Sequence, residues 1–389
     1  MKRTQLAIIC AALLLGCAPT ETQAAYEEDP HLQPPEQTES DVFALNMFRA
    51  LVNERHGNII FSPSATEALL RMLMQGARGK TAAELVALPM GKTEATTAMQ
   101  VAEASALFLD TTFRLKPGIT ADTVISAPLT PQPTEAARQI NTWAAQNTRG
   151  MIPEIITPNE LKKGEPIRLI ATSAIALEEK WLRPFHPDAT DTDAVFTGAD
   201  GRKISVAMMY RTCKYRYAEG RDWRAVALFY RTDGRKGEPG CFLAILPKGD
   251  ARAFAGTLTA RTFSSIRNAL ATAPPREITI GLPKIEQRTP AFSLTTALQA
   301  CGLRHIFTSG ADLSGFADED LHLQNVLHRC YVKADEQGVR AAAVTSGVVV
   351  QKCADISLPP LIFNRPFVWA ITDLTTPTAP YFLGLFESP

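Results

Sequence analysis

The sequence predicts an α+β chain folded as one large domain over residues 41–389. Three observations carry this reading. Helical periodicity gathers in the first part, strand alternation dominates the second, and no internal repeat or composition break interrupts the whole. Of the 389 residues, 46% are apolar and 21% charged, enough to build a sizeable core.

The elements follow in chain order. Phe43, Met47, Phe48 and Leu51 recur at helical spacing, with Ser40 or Asp41 placed to cap the helix. Ser62 and Pro63 open a second helix over about 65–75. Thr134 is placed to cap a third, whose inner face is Ala136, Ile140, Trp143 and Ala144 and which ends at Gly150. The unbroken apolar run 242–246 reads as a buried strand. Ile278, Ile280 and Leu282 alternate with other residues, as in a sheet with one covered face. Segments 368–372 and 381–386 flank Thr-Pro-Thr-Ala-Pro and read as a closing hairpin.

Several function classes fall away. Lys plus Arg and Asp plus Glu both number 40, so no overall field favours nucleic acid. The six histidines stand at no metal-ligand spacing, and neither a metal nor a cofactor is expected. Gly79-Lys80-Thr81 lacks the earlier glycine and the preceding strand of a phosphate loop. No Gly-x-Ser-x-Gly elbow is present, and Cys353 lacks the flanks of a thiol protease.

The N-terminus reads as a processing signal. Lys2 and Arg3 precede an apolar run over 6–15, the length of a secretory segment and too short to span a membrane. Leu14-Leu15-Gly16-Cys17 resembles a bacterial lipobox. That assigns 1–16 to a signal peptide, Cys17 to lipidation, and 17–40, with its acidic, lysine-free and arginine-free stretch, to a flexible tether. The expectation is an exported lipoprotein anchored to a membrane of the cell envelope. Ordinary cleavage near Ala24 or Ala25, giving a secreted protein, is the alternative. Cys213, Cys241, Cys301, Cys330 and Cys353 are odd in number and irregularly spaced, so they form no disulfide framework.

One stretch is unusual: DEQGVRAAAVTSGVVVQKCADISLPP, residues 335–360. Taken as a strand, it puts Val339, Ala341, Ala343, Thr345, Gly347 and Val349 on one face, small and uncharged. Arg340 falls on the other. A helix competes for 340–343, but the β-branched residues over 344–350 and Gly347 disfavour it further on.

Glu336-Gln337-Gly338 followed by Ala341-Ala342-Ala343 resembles the hinge of the serpins. These protease inhibitors trap their target by inserting a loop into a sheet. Other motifs agree in order: Asn58-Ile-Ile-Phe-Ser-Pro63, the run from Gly76 to Glu84, Gln139-Ile-Asn-Thr-Trp143, Lys180-Trp181-Leu-Arg-Pro-Phe185, Gly310-Ala-Asp-Leu-Ser-Gly315 and Phe363-Asn-Arg-Pro-Phe367. The resemblance implies a serpin fold, with a large mixed sheet, further sheets, surrounding helices and an exposed reactive-centre loop over about 336–358. It implies a protease inhibitor and not an enzyme, acting as a monomer.

Carried over residue by residue, the hinge is Glu336, Gly338, Val339, Arg340, Ala341, Ala342, Ala343 and Val344. The sheet-opening region is Ser62, Ser173, Trp181 and His328. The family's usual Asn is replaced by Ser173, and one usual serine by Ala65. The chain between Thr81 and Ile140 is short, which puts activation by a polyanion in doubt. Counting from Glu336 places the reactive bond at Lys352-Cys353, and a lysine there suits a trypsin-like serine protease. A lysine-specific cysteine protease is a second possible partner, and a non-inhibitory carrier is the alternative function.

Overall fold

The computed structural model describes residues 38–91, 99–117, 119, 124–162, 166–237, 239–289, 291–339, 358–375 and 379–389. Cys17, Arg340, Ala341, Ala342, Ala343, Val344, Lys352 and Cys353 lie outside them.

Helix α1 (Glu39–Glu54) starts earlier than predicted. Its cap is Thr38, not Ser40 or Asp41: the Thr38 hydroxyl accepts from the Asp41 amide at 3.1 Å while the Asp41 carboxylate accepts from the Thr38 amide at 3.3 Å. Phe43, Met47, Phe48 and Leu51 form its buried face, as their spacing requires. Strand β1 (Ile59–Phe61) leads to α2 (Pro63–Gly76), capped by the Ser62 hydroxyl, which accepts from the Ala65 amide at 3.2 Å. Next come α3 (Gly79–Val86), β2 (Val101–Asp110) and β3 (Val124–Ala127). No helix occurs between 87 and 132 among the described residues, where the chain was read as short.

Helix α4 (Pro133–Asn147) begins at its proline, and its cap position is Gln132, not Thr134. Beyond it are α5 (Pro158–Leu161), β4 (Leu169–Leu177), β5 (Glu179–Lys180), β6 (Thr190–Thr197), β7 (Lys203–Glu219), β8 (Trp223–Phe229) and β9 (Gly240–Pro247). Helices α6 (Ala251–Thr257) and α7 (Ala260–Thr272) precede β10 (Pro275–Pro283), β11 (Ile285–Arg288), β12 (Phe292–Ser293) and α8 (Thr295–Ala300). The chain closes with β13 (Asn325–Ala334), β14 (Gly338–Val339), β15 (Leu361–Ile362), β16 (Phe367–Asp373) and β17 (Phe382–Phe386). The last two are antiparallel partners, the closing hairpin expected from the sequence.

Two large sheets organise these strands. The nine-stranded sheet runs β1-β17-β16-β9-β8-β7-β10-β15, with β6 on β7. The six-stranded sheet runs β11-β13-β4-β2-β3, with β12 on β13. Within the latter β13 and β4 are parallel, while β2 and β4 are antiparallel. Side-chain alternation sends Ile175, Leu177, Cys330 and Val332 into the core between the sheets. It sends Ala174, Ala176, Leu327 and Tyr331 to the outer face, where Ala136, Ile140 and Ala144 of α4 and residues 151–156 cover them. The middle of this sheet is therefore buried on both faces, which explains why β4 is apolar or small throughout.

One ion pair ties the helices on the other side of the core. Arg267 Nη2 of α7 lies 2.5 Å from Asp41 Oδ2 of α1, and both side chains are fully buried. Burial pushes the Asp41 carboxyl up, and the Arg267 charge opposes that shift. Removing one partner strands the other charge in the core. Arg267→Ala is therefore expected to lower unfolding stability by about 3–5 kcal/mol. Equilibrium urea denaturation checks this; an unchanged midpoint would show that the pair is dispensable.

Candidate functional site

Three of the four sheet-opening residues expected from the sequence, Ser62, Ser173 and His328, meet at one level of the six-stranded sheet. Ser173 on β4 and His328 on β13 are direct strand partners, and Ser105 on β2 is the partner of Ser173 on its other side. A row of three polar side chains thus crosses an otherwise apolar layer. The Ser62 amide, at the start of α2, donates to His328 Nε2 at 3.0 Å. That nitrogen must therefore be the acceptor, so the ring proton sits on Nδ1 and is donated to Ser173 Oγ at 2.7 Å. Ser105 Oγ donates to the Ala65 carbonyl at 3.1 Å, fastening β2 to the same helix end.

His328 is fully buried, with Phe61 and Phe292 edge-on at centroid distances of 5.6 and 5.5 Å. Burial lowers its pKa from 6.5 to about 3, so the ring is neutral. Cys330, two residues on and on the same face, brings Sγ to 3.0 Å from His328 Nε2. Burial raises this thiol well above its ordinary range, so it too is neutral. Neither Ser105 nor Cys330 was anticipated. The period of two marks Cys330 as sharing a face with His328, whereas Ser105 is visible only once the β2–β4 register is known.

Trp181, the fourth expected residue, is not in this row; it lies at the far end of the same two strands. Parallel pairing between β4 and β13 stops at Ala176 and Tyr331. Beyond it the chain turns at 335–338 and comes back as β14, antiparallel to β5, with Gly338 opposite Lys180 and Val339 opposite Glu179. Trp181 holds this turn, its indole nitrogen donating to the Asp335 carbonyl at 2.7 Å and its amide to the Gln337 carbonyl at 3.0 Å. It stacks on Tyr230 at 5.0 Å.

Two hinge residues have their side-chain requirements explained. Gly338 has φ +140°, and a Cβ there would lie 2.2 Å from the Glu179 carbonyl oxygen, so only glycine fits. Glu336 makes an ion pair with Lys284 at 2.7 Å and accepts from the Thr190 hydroxyl at 2.8 Å. Partial burial raises its carboxyl, but these bonds outweigh that and hold it below the usual range. Beside the turn, Glu179 is buried and paired with Arg235 at 2.8 Å. The hinge is anchored by charge, aromatic stacking and backbone bonds up to Val339.

The four cysteines among the described residues, Cys213, Cys241, Cys301 and Cys330, are free thiols. The described residues hold no cluster of His, Cys, Asp and Glu fit for a metal.

Comparison with known proteins places this geometry. The family model for serpins, serine protease inhibitors, matches residues 38–389. An uncharacterized serpin-like protein of Thermococcus kodakarensis is 28% identical over 89% of this chain and 84% of its own length. Alpha-1-antiproteinase 2 of Equus caballus is 27% identical over 97% of this chain and 93% of its own. The solved structure of native protease nexin-1 with heparin superposes with a TM-score of 0.77 at 22% identity, over 91% of this chain and 99% of that one. Since the family model spans nearly all of the chain, including both strands flanking the polar row and the turn that follows them, this protein belongs to the serpin family, whose members are mostly protease inhibitors and not enzymes.

Proposed function

We propose that the protein is an inhibitory serpin that covalently traps trypsin-like serine proteases at Lys352-Cys353. One observation carries the reading: the first hinge residues already lie antiparallel on β5, at the mouth of a parallel strand pair. A strand that continues from β14 runs antiparallel to both β4 and β13. Its entry exchanges one parallel interface for two antiparallel ones, the more stable arrangement per residue.

Continuing the register of Val339 opposite Glu179 would set Ala341, Ala343 and Thr345 opposite Leu177, Ile175 and Ser173. On the β13 side the same positions would meet Val332, Cys330 and His328. The one hydroxyl on the inward face of 339–345 would thus arrive at the polar row of Ser105, Ser173 and His328. Ala342 would meet Ala176 and Tyr331, which are buried on the outer face, so that face also demands a small residue. A hinge of consecutive alanines suits entry between two covered faces.

The chemistry belongs to the protease. Its serine attacks the Lys352 carbonyl, the amine of Cys353 leaves, and an acyl-enzyme forms. Cleavage frees the loop end, and 338–352 enter the sheet. Fifteen extended residues span roughly 50 Å at ~3.3 Å each, and the attached enzyme is carried and deformed before water releases it. The intact state is then metastable relative to the loop-inserted form and is kept from it by a barrier. A signal peptide over 1–16 and acylation at Cys17 complete the proposal, placing the inhibitor on a membrane.

Ala343→Arg should convert the inhibitor into a substrate, because the charge would be forced between Ile175 and Cys330. Trypsin should cleave it without a covalent complex on a denaturing gel, whereas Arg340→Ala should still trap. Cleaved wild-type protein should melt far higher than intact protein. Equal trapping by Ala343→Arg, or no thermal gain on cleavage, would exclude insertion.

The neutral His328 gives the closed sheet a pH dependence. Its folded pKa of about 3 is depressed below 6.5, so its contribution is complete above about pH 6.5 and lost as pH falls toward 3. The slope is on the order of 1 kcal/mol per pH unit. Urea midpoints of wild type should fall more steeply from pH 6.5 to 4 than those of His328→Gln; parallel profiles would refute the assignment. For the anchor, Cys17→Ser should abolish palmitate labelling and release the protein from the membrane fraction. Labelling that persists in the variant would place the lipid elsewhere.

A further inference from the structure

The polar row has one neighbour, on the same face of β13, whose chemistry remains unused. Cys330 Sγ lies 3.0 Å from His328 Nε2, and both groups are fully buried and neutral. Nε2 is an acceptor because the Ser62 amide donates to it, and it carries a single lone pair. The thiol has one proton and Nε2 is its hydrogen-bond partner. The sulfur also packs among the apolar side chains of the inter-sheet core, including Ile175 and Val332.

We propose that Cys330 is a positioning residue of the closed sheet: its S–H donates to His328 Nε2 together with the Ser62 amide, and this shared bond sets how readily β4 and β13 part. The geometry explains why it acts on opening. His328 makes the side-chain hydrogen bond across the strand pair, Nδ1–H to Ser173 Oγ. A ring held at Nε2 from two directions, by α2 and by its own strand, keeps Nδ1 aimed at β4. Ser173 offers a single short hydroxyl, so a small tilt of the ring breaks the bond. The thiol stops that tilt. Its meaning for inhibition rests on the insertion reading above, because the same parting admits the loop: a looser ring shortens the life of the intact state and speeds entry after cleavage.

Three substitutions separate donation from packing. Cys330→Ser keeps a donor in a similar volume, Cys330→Val keeps volume without a donor, and Cys330→Ala keeps neither. Hydrogen–deuterium exchange of peptides covering 169–177 and 325–334 in the intact, protease-free protein reports opening. Val and Ala should exchange at least about two-fold faster than wild type, the low end for a hydrogen bond as a weak thiol donor sharing one lone pair requires, and Ser no faster than wild type. The infrared S–H stretch assigned to Cys330, by difference from the Ser variant, should lie on the hydrogen-bonded side of a free thiol. Val matching wild type while Ser opens like Ala would reduce the cysteine to packing, and an unshifted S–H band would remove the donation; either result overturns the proposal. Exchange needs no target enzyme, so a failure to trap trypsin would count against the proposed function and leave this result standing.

Discussion

Two neighbouring strands running the same way impose the constraint on which the rest of this molecule depends. β4 and β13 are parallel and directly bonded from Asn325–Ile170 to Tyr331–Ala176, and the chain leaving β13 must turn back on itself. Any segment that turns back there faces a slot whose two edges both favour it. The surroundings then follow. The core on one side and α4 with residues 151–156 on the other leave no solvent face at the middle of the sheet. A strand entering that slot would have to be small on both parities, and the proposed insertion would account for the alanines after Gly338.

The closed arrangement is held by little. Across the pair there are backbone bonds, slanted as in any parallel ladder, and the polar row centred on His328. In an apolar layer such a row is strong while fully satisfied and costly when broken, so it behaves as an all-or-none contact. At the far end the opposite holds. Trp181, Tyr230, Glu179, Glu336 and Lys284 fix the turn by stacking, ion pairs and backbone bonds. The molecule thus has a firm pivot and a releasable clasp on the same two strands.

The fold was largely legible in the sequence, and the reasons differ by element. The face of α1 and the strand around 278–282 declare themselves because burial writes a period of 3.6 or 2 into the chain, and 242–246 because a strand covered on both faces is apolar throughout. Two of the three helix starts did not, although Ser62-Pro63 did: Ser40, Asp41 and Thr134 all have capping chemistry, and only the backbone conformation at Thr38 and Gln132 decides between neighbours. Of the expected site residues, Ser62, Ser173 and His328 converge through strand pairing between residues more than 150 positions apart, which resemblance supplied and periodicity could not. Cys330 and Ser105 stayed hidden because an ordinary cysteine in a core strand and an ordinary serine in an alanine-rich one carry no local mark. Lys284 and Thr190 escaped for the same reason, since Glu336 finds them only after the chain has turned.

The last strands bring a consequence of another kind. β16 lies between β9 and β17, and β17 lies between β16 and β1, so the last two strands fill interior positions of the nine-stranded sheet. Phe363, Phe367, Trp369, Phe382 and Phe386 are all buried there. A cut anywhere in 340–357 therefore divides the chain and not the molecule. The protein is in effect a complementation pair written as one polypeptide, whose short C-terminal part is gripped by strand hydrogen bonds, by aromatic and aliphatic packing, and by the ion pair of Glu387 with Arg252.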